Sequence, residues 1–249
     1  MRESVGRQRK TYPGVTLTLT QLEAAERLYQ RLRDWHRSLA TLEMLNTQLP
    51  GFDTHTTLLK TTAINGLMAT QIFALVPMAA HVQDVLANVQ LETAGPELVD
   101  KIADFQHKNK KRENVSFASK FAHFFIDPDR FPMKDSFSTK MVEFHLGTAN
   151  CVQTDQNVFD ESYATFVQNI ERLKKRDGLD SVSHRRLDCY LWFAGKYRAF
   201  LEKPPFEKQK GAEAQPANDQ ETQEEITKRE FLDTSAPQCV ADLAAVVGD

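Results

Sequence analysis

The chain has 249 residues, a net charge of −3, 41% hydrophobic and 26% charged residues, the balance of a globular protein long enough to bury a sizeable core. Ten Gly and ten Pro are too few for a sandwich or barrel, which needs a turn about every 8–12 residues. No apolar run approaches the roughly 18 residues of a membrane span. The start MRESVGRQRK has no apolar signal region, and Cys151, Cys189 and Cys239 lie too far apart for a disulfide framework or a zinc ribbon. The expectation is a protein of the reducing cytoplasm with no membrane partner.

Residues 1–15 read as a basic flexible arm, 16–203 as one helical domain and 204–249 as an acidic disordered tail. The tail carries four Lys/Arg against ten Asp/Glu, which leaves the rest of the chain mildly basic. Thr20-Gln21-Leu22-Glu23 has the form of a capping box. A stripe at spacings of three and four, Ala25, Leu28, Leu32, Trp35, Leu39 and Leu42, predicts one long helix that Pro50-Gly51 ends. A second helix from about Thr54, apolar through Leu58, Leu59, Ile64, Leu67, Ile72 and Phe73, is expected at the centre of the fold. Pro77 and Pro96 suit the first position of two further helices. Asn114 and Asp135 are placed to cap a helix through Phe125 and another ending near Gly147. The patterns from Asn157 to Arg176 and from Ser181 to Leu201 complete an all-α fold of about eight helices.

Chemistry concentrates in Val115–Ser138, VSFASKFAHFFIDPDRFPMKDSFS, where six phenylalanines fall between Phe117 and Phe137. Lys120, His123 and Asp135 are a candidate nucleophile, base and carboxylate, and the Pro128–Pro132 loop folds the chain back so that Lys120 and Asp135 could meet. Each also has a structural reading. Asp135 is explained fully as an N-cap, although the helix dipole would equally favour a fixed anion there. Lys120 suits solvent, a phosphate or, if desolvated, an amine nucleophile, and His123 suits packing on the Phe-rich face. No HExxH or comparable spacing supports a metal site, and no GxGxxG, GxxxxGK[ST] or GxSxG occurs; no cofactor is expected. The basic helix around Trp192 could be core or could stack a base.

Read as S-F-A-S-K…H-F…P…F-P…D-S, residues Ser116–Ser138 resemble the catalytic segment of helix-hairpin-helix DNA glycosylases. The resemblance implies a two-lobed helical domain acting on double-stranded DNA with a flipped base, in base-excision repair or in defence against modified foreign (phage) DNA. It implies that Asp135 is the catalytic carboxylate and that Lys120 is either its partner amine in a bifunctional enzyme or a bystander in a monofunctional one. Lys108, Lys110, Lys111, Arg112, Lys134, Ser136 and Lys140 would hold phosphates, and Asn65, His123, Phe124 and Trp192 would line the base pocket. The family's hairpin glycines, L-P-G-x-G, have no counterpart in Lys110–Val115, so lysines and the helix start at Asn114 would anchor the backbone instead. Two rival readings use the same residues: a non-catalytic helical nucleic-acid-binding protein, and a protein-interaction adaptor that docks a basic partner through its acidic tail.

Overall fold

The computed structural model describes residues 11–107, 110–152, 162–202 and 245–246. Among them the fold is all-α: nine helices, a 3-10 turn at Thr148–Asn150 and one two-stranded hairpin.

Helix α1 (Leu19–Arg31) starts two residues earlier than Thr20 suggests. Thr18 is the N-cap, its hydroxyl accepting from Gln21 N while the Gln21 side chain accepts from Thr18 N at 2.9 Å. Both Thr18 and Thr20 precede a Gln or Glu by three, and tertiary anchoring decides between them. Leu17 is fully buried and its N–H donates to Asp177 Oδ2 at 2.8 Å, fixing the residue before Thr18. The expected single long helix is two, with α2 at Arg33–Gln48. The break falls at Leu32 (φ −84°, ψ 83°), whose N–H still donates to Leu28 O and Tyr29 O. No Gly or Pro marks it, and the apolar spacing runs on through it.

Helix α3 (Thr54–Leu67) is capped by Asp53, which accepts from His55 N and Thr56 N. It is not the apolar centre. Its buried face is Thr56, Thr57, Lys60, Thr61 and Ile64, while Leu59 and Leu67 face solvent. Lys60 is tolerated because its ammonium donates to Asn46 Oδ1 and Gly51 O and lies 4.3 Å from the Phe52 ring centroid. Ile72 and Phe73 fall beyond the helix in a loop where Ala69 and Gln71 take left-handed φ of 49° and 59°. Helix α4 (Leu75–Ala87) begins two residues before Pro77, which sits within the first turn, where a missing N–H costs little. Pro96 is the N-cap of α5 (Glu97–Ala103), one place before the position expected. The basic stretch after it forms a hairpin, β1 (Asp104–His107) with β2 (Lys110–Glu113), paired antiparallel from Asp104↔Glu113 to His107↔Lys110.

The central helix is α6 (Val115–Phe125), buried at every position from Phe117 to Phe125. Phe117, Phe121 and Phe125, four residues apart, stack as a ladder with centroids 5.9 and 5.1 Å apart. Helices α7 (Ser136–Leu146), α8 (Tyr163–Arg176) and α9 (His184–Glu202) follow. Helix α1 packs with α7–α9, and α3 to α6 pack in sequence with α2 bridging the two groups. Gly195 lets α9 approach α7 closely: a Cβ there would lie 2.8 Å from Phe137 Cβ and 2.9 Å from Phe137 O.

Residues 11–15 of the expected arm form a strap over the end of α7. Val15 N donates to His145 O and Thr148 N to Tyr12 O. Gly14 and Gly147 both have positive φ, and a Cβ on Gly147 would meet Pro13 O at 2.9 Å. His145 donates through Nδ1 to Val15 O at 2.8 Å and accepts through Nε2 from Tyr190 Oη at 2.7 Å. Burial lowers its pKa to about 4. Of residues 204–249, Ala245 and Val246 are described: both are helical, and Val246 is fully buried with its carbonyl accepting from Gln21 Nε2. The remainder of the acidic tail, residues 1–10 and Lys108 lie outside the described residues.

Candidate functional site

One side of α6 carries the Phe ladder. The other carries Ser116, Ser119, Lys120 and His123, spaced by three and four and therefore on a common face. This face meets the segment Phe131–Asp135 as it runs into α7. That segment has no regular structure, yet its backbone is held group by group. His123 Nδ1 donates to Phe131 O at 3.0 Å, and Tyr163 Oη donates to Pro132 O at 2.7 Å. Met133 N donates to Asp188 Oδ2 at 2.8 Å, and Lys134 N donates to Ser119 Oγ at 3.0 Å. Asp135 N donates to Ser138 Oγ at 2.8 Å. Partners from α6, α7, α8 and α9 thus satisfy a buried loop that would otherwise leave polar groups unpaired.

The caged segment delivers Asp135 in one place. Its Oδ1 accepts from Phe137 N and Ser138 N, both at 2.9 Å, in a capping box that opens α7. Its Oδ2 is left to face Lys120 Nζ at 3.3 Å, and the two side chains are 12% and 10% exposed. Lys120 Nζ also donates to Ser116 Oγ at 3.2 Å, one turn back on α6. The cap and the contact with a charged amine therefore use different oxygens of one carboxylate.

Lys120 and Asp135 line a cavity of about 720 Å³, within the usual range of small-molecule and cofactor sites. His123 and Phe124 from α6, and Trp192 from α9, line the same cavity. Trp35 joins from α2, its ring centroid 3.9 Å from that of Trp192, while Lys196 Nζ lies 4.6 Å from the Trp192 ring centroid. The mouth carries both signs of charge. Arg186 pairs with Glu26 at 2.9 Å, and Arg185 pairs with Glu43. Burial lowers the His123 pKa to about 4, against the opposing bond to Phe131 O. The ring is therefore neutral near pH 7, with the proton on Nδ1 and the lone pair on Nε2.

Other expected residues lie elsewhere. Asn65 does not line the cavity: its Oδ1 accepts from Ile72 N at 2.6 Å and Thr70 Oγ1 at 3.1 Å, holding the loop after α3. Ser136 and Lys140 are exposed on α7, and Lys134 Nζ lies 5.8 Å from the Phe166 ring centroid; none of the three lines the cavity. The backbones of Lys110, Lys111 and Arg112 form β2, and their side chains, like Lys108, fall outside the described residues. Among the described residues no cluster of three or more His, Cys, Asp or Glu is placed to hold a metal ion, and no helix is long and apolar enough to cross a membrane.

The residue that sequence reasoning missed is Asp188. It lies in the middle of the apolar stripe Leu187, Tyr190, Leu191 and Ala194 on α9 and lines the cavity. Its Oδ2 accepts from Met133 N and stands 3.6 Å from His123 Nδ1. Burial holds its pKa well above the carboxylate range, a rise that the Met133 bond opposes and nearby Asp135 reinforces. The signal available was an acid flanked at −1, +2 and +3 by large apolar residues, a place where an ionised carboxylate is not stable without a paired charge.

A family model named HI_0787_N, described as an N-terminal domain, matches residues 21–130. No curated protein and no solved structure matches the chain. The matched stretch contains Lys120 and His123 and stops before the Phe131–Asp135 segment. The chain is similar to that domain through α6, the wall of the cavity that carries the amine.

Proposed function

We propose that the protein is a DNA glycosylase-like enzyme that receives a flipped base in this cavity and cleaves its N-glycosidic bond. The observation that carries the reading is the 3.3 Å contact of Lys120 Nζ with Asp135 Oδ2 on the wall of an aromatic-lined cavity. Asp135 faces that cavity and not a closed core. A non-catalytic binder would not require this.

A base within a duplex must leave the stack before its glycosidic bond can be reached. The cavity offers Phe124, Trp35 and Trp192 as apolar and aromatic walls for such a base. As the bond between C1′ and the base nitrogen breaks, its electron pair leaves with the base and positive charge develops on the sugar. The Oδ2 atom of Asp135 stabilises that charge from a position set before reaction, because the capping bonds to Oδ1 prevent the carboxylate from turning away. Water adds at C1′ and gives its proton to Asp135. In the bifunctional variant of this reaction the Lys120 amine, its proton passed to Asp135, adds at C1′ in place of water; the C1′–O4′ bond then opens to give the imine, and elimination of the 3′ phosphate cleaves the strand. Exposed Lys140 and Ser136 in the first turns of α7 suit contacts to the flanking phosphates. The substrate places the protein with DNA, in repair or in defence against modified foreign DNA.

The test is base release from duplexes carrying damaged, mismatched or hypermodified bases, read by strand cleavage with and without alkali. Wild type should release a base. Asp135→Asn should not, although it folds and binds DNA, because Asn caps a helix as well as Asp does. Cleavage without alkali that Lys120→Met abolishes assigns the amine as nucleophile. Base release retained by Asp135→Asn refutes the proposal.

A further inference from the structure

Asp188 is placed where its function is not exhausted by the contacts it makes. Its side chain is almost completely buried, and its Oδ2 is committed to Met133 N. Its Oδ1 is buried without a hydrogen-bond partner, and the residue lines the same cavity as Lys120 and Asp135. Folded proteins seldom leave such an atom unsatisfied, and those that persist tend to have a role. The α9 backbone does not supply a donor to it, and neither does the nearest ring nitrogen, because His123 Nδ1 already donates to Phe131 O.

We propose that Asp188 is a recognition residue of this cavity, whose unpartnered Oδ1 carries a proton and donates a hydrogen bond to a carbonyl oxygen or unprotonated ring nitrogen on the bound base. The inference rests on the glycosylase reading for the identity of the ligand as a base. A neutral carboxyl suits the position. The Lys120–Asp135 pair already balances its own charge, so a second carboxylate beside it would be uncompensated. Burial acts in the same direction, raising the proton affinity of Asp188. A pocket that presents a donor with no partner of its own discriminates strongly against ligands that lack the matching acceptor.

The groups that face Asp188 define what its titration can be confused with. They are Lys120 and His123 on α6, Asp135 at the start of α7, Tyr163 on α8 and Cys189 on α9, with Arg185 of α9 and Glu26 of α1 beyond Cys189. Burial pushes Cys189 up to about 12 and Tyr163 further, and His123 is already neutral above about 4. Replacing Asp188 by Asn removes its titration and leaves all of these in place. Asn also keeps an oxygen for Met133 N and offers an N–H where the carboxyl offers O–H.

The experiment uses the chain's two tryptophans, both in the cavity wall, as fluorescent reporters. The probes are the free bases hypoxanthine, uracil, adenine and 8-oxoguanine. At least one should quench wild type, with affinity falling once the pH is high enough to ionise Asp188. Asp188→Ala should bind about tenfold more weakly or worse, the cost of one lost hydrogen bond. Asp188→Asn should restore binding and abolish that fall. Infrared spectra of wild type should contain the C=O stretch of a neutral carboxyl that Asp188→Asn lacks, and base binding should shift that stretch, a signature that a merely structural role does not predict. If natively folded Asp188→Asn binds as weakly as Asp188→Ala, Asp188 acts as an ionised acceptor and the inference falls. If wild type releases bases from DNA and Asp188→Ala releases them equally well, the inference falls while the glycosylase reading stands. If no probe binds and no base is released, both fall.

Discussion

The buried titratable groups make opposite demands on protons, and their balance sets how stability responds to mild acid. His123 and His145 have pKa values near 4 in the folded protein because burial disfavours the charged ring. Unfolded histidines titrate near 6.5 and unfolded aspartates near 3.9. Between about pH 6 and pH 5 the unfolded chain therefore holds about 1.5–1.8 more protons on these histidines than the folded protein does. Asp188 works the other way. In the neutral form proposed above it keeps a proton in the folded state that the unfolded chain has released. The net difference is then about 0.5–0.8 proton, so unfolding free energy should fall by about 1 kcal/mol for each pH unit lost in this window. Asp188→Asn removes the compensating proton and should raise the slope to about 2 kcal/mol per pH unit. Replacing His145 by a neutral residue should remove one histidine proton and bring the slope close to zero. Urea titrations at closely spaced pH values, followed by tryptophan fluorescence, measure each slope directly. A wild-type slope near 2 kcal/mol per unit that Asp188→Asn leaves unchanged would show Asp188 to be ionised. A wild-type slope near zero, unchanged by the His145 substitution, would show that the histidines are not held neutral.

Three further outcomes follow from particular contacts. Tyr163→Phe removes the donor to the buried Pro132 carbonyl and should cost about 1–3 kcal/mol in urea unfolding; base release should fall further than stability does, because Asp135 loses part of its positioning. Gly195→Ala places a methyl group within 2.9 Å of the Phe137 carbonyl, and shifting the first turn of α7 should lower stability by about 1–3 kcal/mol in thermal melts. Lys60, with its pKa lowered by burial to about 8, gives up its proton in the folded protein before the unfolded chain does. Stability should accordingly rise with pH from about 8 towards 10, and a chevron or urea series on Lys60→Met should lack that rise.

What could be read from the sequence divides by the range of the interaction that decides it. Helix existence, the Asp135 cap and the Phe131–Pro132 return depend on residues a few places apart, and the chain displays them. The start of α1 was misplaced because Thr18 and Thr20 are locally equivalent, and the decision belongs to Asp177, far along the chain, which holds Leu17 N. The α1–α2 break carries no Gly or Pro, and beyond it α2 packs on α3 and α6, contacts made by residues far from Leu32 in the chain. Helix α3 was read inside out for a different reason. Its apolar residues suggested burial, but Asn46, Gly51 and Phe52 provide a polar and aromatic seat for Lys60, so the threonine face turns inwards. The face of α6 that lines the cavity shows the same division. Lys120, His123 and Asp135 could be nominated from one short segment. The residues that make Asp135 immobile could not, because Tyr163 reaches Pro132 across 31 positions and Asp188 reaches Met133 across 55. An irregular loop buried in this way requires a partner for each backbone group, and those partners come from whichever helices surround it. A polar residue inside an apolar helical stripe is the trace that such service leaves in a sequence. Asp188 among Leu187, Tyr190 and Leu191 is that trace here, and the search for catalytic machinery in a helical chain gains from treating such residues as claims on a distant backbone before treating them as surface.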